Sequence, residues 1–275
     1  MKFSIIMPVL NGERFIEAAL MSVLSQADQG WELIVADGGS TDDSLSIVER
    51  YAAQDSRIRF VSEPDNGMYD ALFKGFLRAE GSWIGWLNAD DLYAPWAIAS
   101  VRRFIFTHQC DWVTGLPGSW DETGILRSVR PVGRYSRRNI AAGWHHDGLL
   151  GFLQQESMFF SRRLLEKLSQ EECAKIRSMR LAGDFVMWRF FAKHTALEVI
   201  PVTLGGFRRH GGNMSVRQAA DYREEILSAE PFTMPEPLSR LAALFWRMKS
   251  AWETARLTDK ADRELMAEIG KDAPR

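Results

Sequence analysis

Short apolar runs alternate with segments of helical periodicity through the first third of the chain. Runs rich in β-branched and aliphatic residues predict strands at Phe3–Met7, Leu33–Ala36, Ile58–Ser62 and Trp83–Leu87. Between the first two runs, apolar residues recur with helical spacing from Glu13 to Gln26. The alternation predicts a Rossmann-like α/β fold with a mostly parallel sheet flanked by helices.

Further helices are predicted after this first unit. One begins after the capping residues at 40–42, and another covers about Met68–Ala79. Helical patterns return near Ser161–Ser169 and Ala182–His194, and a strand is expected near Glu198–Val202. Together these patterns continue the α/β series well past the middle of the chain.

The pattern also suggests how the chain is divided. Residues 1–110 hold the regular α/β series, and 111–230 form a second half of the same domain that begins with an irregular segment. After a proline-rich stretch, residues 231–275 form a C-terminal helical extension with a helix over Leu238–Leu257. Its apolar, tryptophan and arginine pattern fits a membrane surface or docking onto protein.

Composition narrows the class of protein. The 275 residues are 46% hydrophobic, which is enough for a core, and the net charge of -2 gives no general electrostatic attraction to nucleic acid. Cys110 and Cys173 have no CxxC spacing, so neither a disulfide framework nor a structural zinc site is expected. No apolar run approaches the roughly 18 residues needed to cross a bilayer, so a cytoplasmic protein is expected.

Polar loops follow the four predicted strands of the first half. Ligands of parallel sheets bind at the carboxyl ends of strands, so these loops are the place to look for a site. Asp90 and Asp91, with Asn88 just before them, can hold a hard divalent cation that also binds phosphate; the alternative is that they cap the next helix. Asp37 can accept a hydrogen bond from a base, and the Gly-Gly after it allows a nucleotide to approach the backbone.

Five ordered motifs resemble the family 2 glycosyltransferases of the GT-A fold. They are SIIMPVLN at 4–11, VADGGSTD at 35–42, SEPDNGMYDA at 62–71, LNADD at 87–91, and QESMFFSRR at 155–163 continued by AGDFVMW at 182–188. The third motif is similar to a subgroup common in bacterial polysaccharide assembly, and LNADD lies where the family carries its DXD metal motif. The resemblance covers roughly residues 3–215.

The resemblance implies a role for each half of the domain. Residues 1–110 would bind a nucleotide-sugar, and 111–230 would bind the acceptor and supply the catalytic base, Asp184. The implied donor-binding residues are Pro8, Val9, Asn11, Glu13, Asp37, Asp65, Asp70, Asn88, Ala89 and Asp90. The implied acceptor-binding residues are Gln155, Glu156 and Trp188, and the implied ligands of Mg²⁺ or Mn²⁺ are Asp90, Asp91 and His210.

Several residues keep a second interpretation. His210 is either a metal ligand or a solvated loop histidine, and Trp188 is either a sugar-stacking residue or, at helical spacing, part of the core. His145 and His146 are expected to be solvated loop residues, with contact to the acceptor as the less favoured alternative. Arg208, together with the arginine after it, either steadies a diphosphate or belongs to the surface.

The resemblance leads to an expected activity, with rivals. The expectation is an inverting, metal-dependent transferase that moves a sugar from a nucleotide-sugar, with a UDP-sugar favoured over GDP- or dTDP-sugars. The acceptor would be a saccharide or polyprenyl-linked saccharide hydroxyl, with peripheral membrane contact and a homo-oligomer left open. A nucleotidyltransferase would need a basic phosphate loop, which residues 8–14 do not resemble. A non-catalytic sugar-nucleotide-binding protein is disfavoured because Asp90, Asp91 and Asp184 are all retained.

Overall fold

A computed structural model describes residues 1–146 and 149–229, together with Leu241, Phe245 and Met248. The helix predicted over Leu238–Leu257, and the membrane or docking role assigned to it, therefore lie almost wholly outside the described residues. Among the helices that are described, none has the length and apolar composition needed to cross a membrane.

Helices and strands alternate from the first residues onward. The strands are β1 Phe3–Val9, β2 Trp31–Asp37, β3 Ile58–Ser62, β4 Trp83–Trp86, β5 Leu92–Tyr93, β6 Trp112–Thr114, β7 Gly118–Trp120, β8 Leu126–Val129, β9 Phe159–Ser161, β10 Glu198–Val199 and β11 Gly205–Arg208. The helices are α1 Ile16–Leu24, α2 Ser44–Ala52, α3 Met68–Arg78, α4 Ala97–Thr107, α5 Arg137–Ala141, α6 Arg162–Leu165, α7 Gln170–Ser178, α8 Gly183–His194, α9 Met214–Arg217 and α10 Ala219–Ser228, with a 3-10 turn at Gln155–Ser157.

The main sheet has seven strands in the order β10-β6-β9-β4-β1-β2-β3. The four strands β1 to β4 are parallel, and β9 runs antiparallel between β4 and β6. The loops after β1 to β4 therefore share one edge of the sheet. A second sheet has the strand order β5-β11-β7-β8. In this sheet β11 pairs with β5, the strand that directly follows the loop after β4.

The strands β1, β2 and β4 are buried along their whole length, so the middle of the sheet is covered on both faces. In β1, Phe3, Ile5 and Met7 pack with α1 residues on one face, while Ile6 packs on the other with α3 and α8 residues. This is the two-residue period of a strand buried on both sides. The fold is thus α/β, with a mostly parallel central sheet flanked by helices.

The helix α8 enters the core through an aromatic cluster. The Trp188 ring lies 5.5 Å from that of Trp112, 5.7 Å from Phe191 and 6.2 Å from Phe160. Aromatic pairs at such separations contribute about 0.5–1.5 kcal/mol each beyond area burial. The predicted core position of Trp188 is confirmed, and the cluster fixes the axis of α8 relative to the sheet.

Candidate active site

The loops after β1 and β2 are joined at their rim. Asn11 Oδ1 accepts the backbone N–H of Thr41 at 2.8 Å, and a Glu13 carboxylate oxygen accepts that of Asp43 at 3.0 Å. Asn11 has a φ of 52°, in the left-handed region that asparagine tolerates better than most residues. These two predicted donor-binding residues therefore hold the loops together, and beneath them Pro8 and Val9 are buried in β1.

Asp37 ends β2 and fastens its loop to β3. Its carboxylate accepts the Ser62 hydroxyl at 2.6 Å and the backbone N–H groups of Gly39 and Ser40, each at 3.2 Å. Only 2% of the residue is exposed. A base contact by Asp37 stays a prediction, and the structure gives the carboxylate a loop-shaping role as well.

Two further predicted donor residues differ in their surroundings. Asp65 is half-buried and accepts the Gly67 N–H at 2.8 Å. Asp70 is buried and pairs with Arg177 at 2.5 Å, with the Lys74 ammonium 3.6 Å away. Although burial raises the pKa of Asp70, hydrogen bonds from Arg177 keep it below its usual value. Asp70 therefore joins α3 to α7 as an ionised residue.

The loop after β4 turns two of its side chains inward. Asn88 accepts the Trp86 indole N–H at 2.8 Å and donates to Asp91 at 3.2 Å and to Gln155 at 3.1 Å. Asp91 is fully buried and accepts the backbone N–H of Arg208 at 2.8 Å. Both side chains thus connect the β4 loop to the rest of the fold, in particular to β11.

Asp90, by contrast, lies against the loop after β11. Its Oδ2 is 2.9 Å from His210 Nε2 and 3.3 Å from Asn213 Nδ2, and 34% of the Asp90 side chain is exposed. His210 is not a solvated loop histidine, because its side chain is 6% exposed and stacks on Phe15 with ring centroids 4.3 Å apart. A carboxylate and an imidazole from distant parts of the chain therefore meet at one point beside the buried Ala89.

The residues at this point fit a divalent cation that is shared with a ligand. In the described part of the chain, no group of three or more His, Cys, Asp or Glu side chains could hold a metal ion by itself. Mg²⁺ is usually held by one or two carboxylates together with substrate phosphates and waters. Asp90 and His210 can supply two protein ligands, whereas both carboxylate oxygens of the predicted ligand Asp91 are bonded within the protein.

A buried arginine lies beside these carboxylates. Arg208 is 3% exposed, and its Nε and one terminal nitrogen have no hydrogen-bond partner within the described residues. The guanidinium carbon is 5.1 Å from the centroid of the Phe15 ring. Burial lowers the pKa of Arg208, and the charges of Asp91 and Asp90 oppose that shift. Buried charged donors without partners are costly, so this cation is suited to receive an anionic group.

Asp184 is in the first turn of α8 and lines a pocket. Its Oδ1 is 3.2 Å from the Tyr222 hydroxyl and 3.4 Å from that of Tyr69. Burial raises the pKa of Asp184 to about 6, which suits a general base near neutral pH. Gly183 is needed beside it, because a Cβ there would lie 2.7 Å from the Tyr69 ring. The pocket is lined by Ile140, His145, Phe152, Leu153, Asp184, Phe185, Trp188, Arg189 and Tyr222.

The predicted acceptor-side residues lie between Asp184 and the β4 loop. Gln155 donates to the Trp86 carbonyl at 2.6 Å, and Trp188 lines the pocket in addition to its place in the core. Glu156 is 6% exposed, and burial raises its pKa to about 7, with Asp184 and Asp90 adding to the shift. The negative charges of Asp184 and Asp90 therefore both disfavour ionisation of Glu156.

The prediction that His145 and His146 are solvated loop residues is wrong. They are 4% and 9% exposed, and His145 lines the pocket beside Asp184. Burial lowers the pKa of His145 to about 3, so this imidazole is neutral at physiological pH. The local sequence does not reveal this burial, because it depends on packing. The Tyr135 ring lies 5.3 Å from His145, and Ile140 of α5 lines the same pocket.

Sequence reasoning missed other parts of the site. Tyr69 lies within the motif at 62–71, which gives it no role of its own, and Tyr222 follows that motif by more than 150 residues with no local signal. Phe15 lies within the helical pattern of Glu13–Gln26, which marks it only as an apolar position. Each is significant because of a contact made across the fold, which no local pattern in the chain encodes.

Glu156→Gln is expected to change how stability depends on pH. Because the folded-state pKa of about 7 lies above the ordinary glutamate pKa of 4.5, wild-type stability falls as pH rises between these values. The glutamine variant lacks this loss. Its free energy of unfolding, relative to wild type, should rise by up to about 3 kcal/mol between pH 4.5 and pH 8.

Urea unfolding at several pH values measures this difference. Glu166→Gln, which changes an exposed carboxylate, is the matched control and should leave the difference flat. An equal gap between Glu156→Gln and wild type at pH 4.5 and pH 8 would contradict the assignment.

Known proteins are similar to this chain in sequence and in fold. Residues 4–168 match the family model described as glycosyl transferase family 2. A PGL/p-HBAD biosynthesis glycosyltransferase of Mycobacterium tuberculosis is 39% identical over 109 residues, and a putative teichuronic acid biosynthesis glycosyltransferase of Bacillus subtilis, TuaG, is 32% identical over 108. Each alignment covers 39% of this chain and 43% of the relative, so the matched region spans less than half of either relative.

Two solved structures share the fold at low sequence identity. TarS 1-349 of S. aureus in complex with UDP-GlcNAc superposes with a TM-score of 0.62 at 20% identity, covering 87% of this chain and 69% of that chain. The mannosyltransferase PcManGT of Pyrobaculum calidifontis, in complex with GDP-Man and Mn²⁺, gives 0.58 at 17%, covering 98% and 79%. These likenesses support the GT-A type of α/β fold.

Proposed function

Because this chain belongs to glycosyl transferase family 2, whose model matches residues 4–168, we propose that it is a metal-dependent inverting glycosyltransferase. It moves a sugar from a nucleotide-sugar to a hydroxyl of a saccharide or lipid-linked acceptor in bacterial glycan synthesis. The observation that carries the proposal is that two candidate groups lie near Glu156, whose pKa is raised by the charges of both. On one side Asp90 meets His210, and on the other Asp184 faces a pocket.

The first side supports departure of a nucleoside diphosphate. A bound divalent cation would compensate the negative charge that grows on the diphosphate. Asp90 and His210 would hold it, and Arg208 offers donors that lack partners in the fold. Buried donors that meet charge in the transition state stabilise it more than they would in water, because the local dielectric is low.

The second side supports activation of the acceptor. The Asp184 carboxylate is held by a phenol on Oδ1 and lines the pocket, where it can receive a proton from an acceptor hydroxyl. The deprotonated acceptor oxygen then attacks the anomeric carbon from the face opposite the diphosphate. A single displacement of this kind inverts the anomeric configuration, so an α-linked donor gives a β-linked product.

A donor screen tests the proposed function directly. Solved structures with this fold contain UDP-GlcNAc or GDP-Man, so UDP- and GDP-sugars are both compared, with UDP-sugars expected to bind. Binding of the correct donor should raise the melting temperature only when Mn²⁺ or Mg²⁺ is present. Product configuration is then read by NMR, and a retained anomeric configuration would contradict the single displacement.

Contact with a membrane surface is proposed as the setting for this reaction. Residues 123–146 contain five arginines and no acidic residue; Arg127 pairs with Asp121 just before this range, which leaves the other four arginines, and in β8 all four residues are exposed. Exposed aliphatic and cationic side chains together favour an anionic lipid surface. Leu126 is 45% exposed, and the arginines include Arg134 and Arg138.

Vesicle sedimentation measures this contact. Wild type is expected to bind vesicles that contain phosphatidylglycerol, and Arg134→Gln/Arg138→Gln should bind several-fold less. Arg103→Gln/Lys167→Gln, which removes the same charge elsewhere on the surface, should bind like wild type. Equal loss in both double variants would show that only net charge matters and that this strip is not the contact.

A further inference from the structure

Helix α10 is fastened to the start of the helix that carries Asp184. The Glu225 carboxylate accepts the backbone N–H groups of Arg180, Leu181 and Ala182 at 2.6, 2.7 and 2.6 Å. These three residues lead into α8, which begins at Gly183, and Ala182 is its N-cap. Glu225 therefore fixes the chain where it enters α8, from another element of the fold.

The same helix places a phenol on Asp184. Tyr222 lies one turn before Glu225, and its hydroxyl is 3.2 Å from Asp184 Oδ1. Tyr69 is also near this oxygen, at 3.4 Å, but its hydroxyl donates to the Leu181 carbonyl at 2.7 Å. A phenol has one proton to donate, so Tyr222 is the donor to Asp184.

The chain reaches α10 directly from the other side of the site. β11 ends at Arg208, and Asn213, five residues later, bonds both Asp90 and His210. The short helix α9 then leads into α10. One continuous stretch, 208–225, therefore contacts the candidate metal-binding side first and the candidate base second.

We propose that α10 acts as a clamp, consisting of Tyr222 and Glu225, that positions Asp184 as the base. Tyr222 is a positioning residue that fixes Oδ1 and so holds the carboxylate in the pocket where the acceptor hydroxyl binds. Glu225 holds α10 at the start of α8, so that the phenol stays in reach. The inference rests on the proposed function, since it requires Asp184 to be the base.

The charge environment of Asp184 is set by several elements. The titratable or charged groups that face it are Tyr69 from α3, Glu156 from the 3-10 turn, Tyr222 and Glu225 from α10, and His145 and Arg189 from the pocket wall. Donation from Tyr222 stabilises the ionised carboxylate, and removing it raises the pKa of Asp184. Activity that needs the ionised base would then be lost at a higher pH as the solution is acidified.

Tyr222→Phe removes only the hydroxyl oxygen and tests the clamp. With UDP-N-acetylglucosamine, UDP-glucose or GDP-mannose, whichever is turned over, and Mn²⁺, we measure nucleotide release from pH 5 to pH 9. The acid limb of kcat/KM should move up by about 1 pH unit, and kcat should fall about twofold at pH 7 and close to tenfold at pH 5, as the ionised fraction of the base declines. The donor KM should stay unchanged, because Tyr222 lies on the acceptor side.

Tyr51→Phe is the matched control. Tyr51 likewise donates to a carboxylate, that of Glu17 at 2.9 Å, but the pair is exposed and lies on α1 and α2. This variant should keep the wild-type pH profile. Glu225→Gln keeps the shape of the side chain but weakens its hold on the backbone of residues 180–182; it should lower both the melting temperature and kcat while donor KM stays unchanged.

Two results overturn the clamp, and they differ from failure of the base assignment. If Tyr222→Phe is folded and has the wild-type pH profile and kcat, Tyr222 does not position the base. If Glu225→Gln lowers the melting temperature but leaves kcat unchanged, its role is structural only. Asp184→Asn inactive in the same assay would leave the proposed function intact in both cases, whereas an active Asp184→Asn would remove the premise.

Discussion

Asp184→Asn is expected to lower kcat by about 10²–10⁴, the usual contribution of general-base catalysis. The amide has nearly the same shape but cannot take the acceptor's proton. Wild-type kcat/KM should fall as pH drops through about 6, where the carboxylate of Asp184 becomes protonated, and the residual activity of the variant should lack this limb. Turnover, donor affinity and melting temperature are measured on the same preparation.

The alternative role for Asp184 is purely structural. An acidic residue in the first turn of a helix stabilises it by about 0.3–1 kcal/mol through the helix dipole. The N-cap of α8 is Ala182, however, so Asp184 is not the capping residue. If the variant binds donor and turns over like wild type, and only its melting temperature is lower, Asp184 has a structural role and no catalytic one.

Asp90→Ala is expected to abolish donor binding that depends on Mn²⁺ and to lower turnover by about 10³-fold or more. A metal ion supplies several kcal/mol of charge stabilisation, and each 1.36 kcal/mol is a factor of ten in rate. Isothermal titration with UDP and Mn²⁺ separates the loss of cation from the loss of nucleotide. His210→Ala should show a smaller loss in the same direction, because one ligand remains.

Asp91→Asn is the matched control for this variant. Asp91 is fully buried and accepts the Arg208 backbone N–H. Asp91→Asn should therefore lower the melting temperature but leave donor binding dependent on Mn²⁺. If Asp91→Asn lost the metal response while Asp90→Ala kept it, the two residues would have to exchange roles. That result would also refute His210 as the partner ligand.

The sequence predicts the first half of the fold well because its signals are local. The strand predicted at Ile58–Ser62 has the observed bounds, and the one at Phe3–Met7 lies within β1, Phe3–Val9. Buried parallel strands are continuous apolar runs, and their carboxyl ends follow from chain direction alone. The placement of Asp37 and Asp90 at loop positions needed no further information.

Shorter elements were missed where local signals compete. The helical pattern at Ser161–Ser169 is only a four-residue helix, and α7, Gln170–Ser178, starts afterwards with a capping box between Ser169 and Glu172. That S-x-x-E signal was present in the sequence but lacked an apolar stripe to support it. The strand expected over Glu198–Val202 is likewise reduced to Glu198–Val199.

The site itself depends on contacts that sequence patterns do not contain. Asp91 bonds the Arg208 backbone across 117 positions, and Tyr222 bonds Asp184 across 38. A motif can indicate which carboxylate carries chemistry by resemblance, but not which phenol holds it. The roles of Tyr222 and Glu225 follow only from the packing of α10 against α8.

The position of β9 makes the chain indivisible. This strand, Phe159–Ser161, is inserted between β4 and β6, so residues from the second half complete the sheet begun by the first. A fragment ending near residue 110 would leave β4, with Trp83 and Ile84, as an open apolar edge, which invites aggregation. Split versions of the protein and hybrids with related chains should therefore keep β9 together with β1 to β4, rather than divide the chain near residue 110.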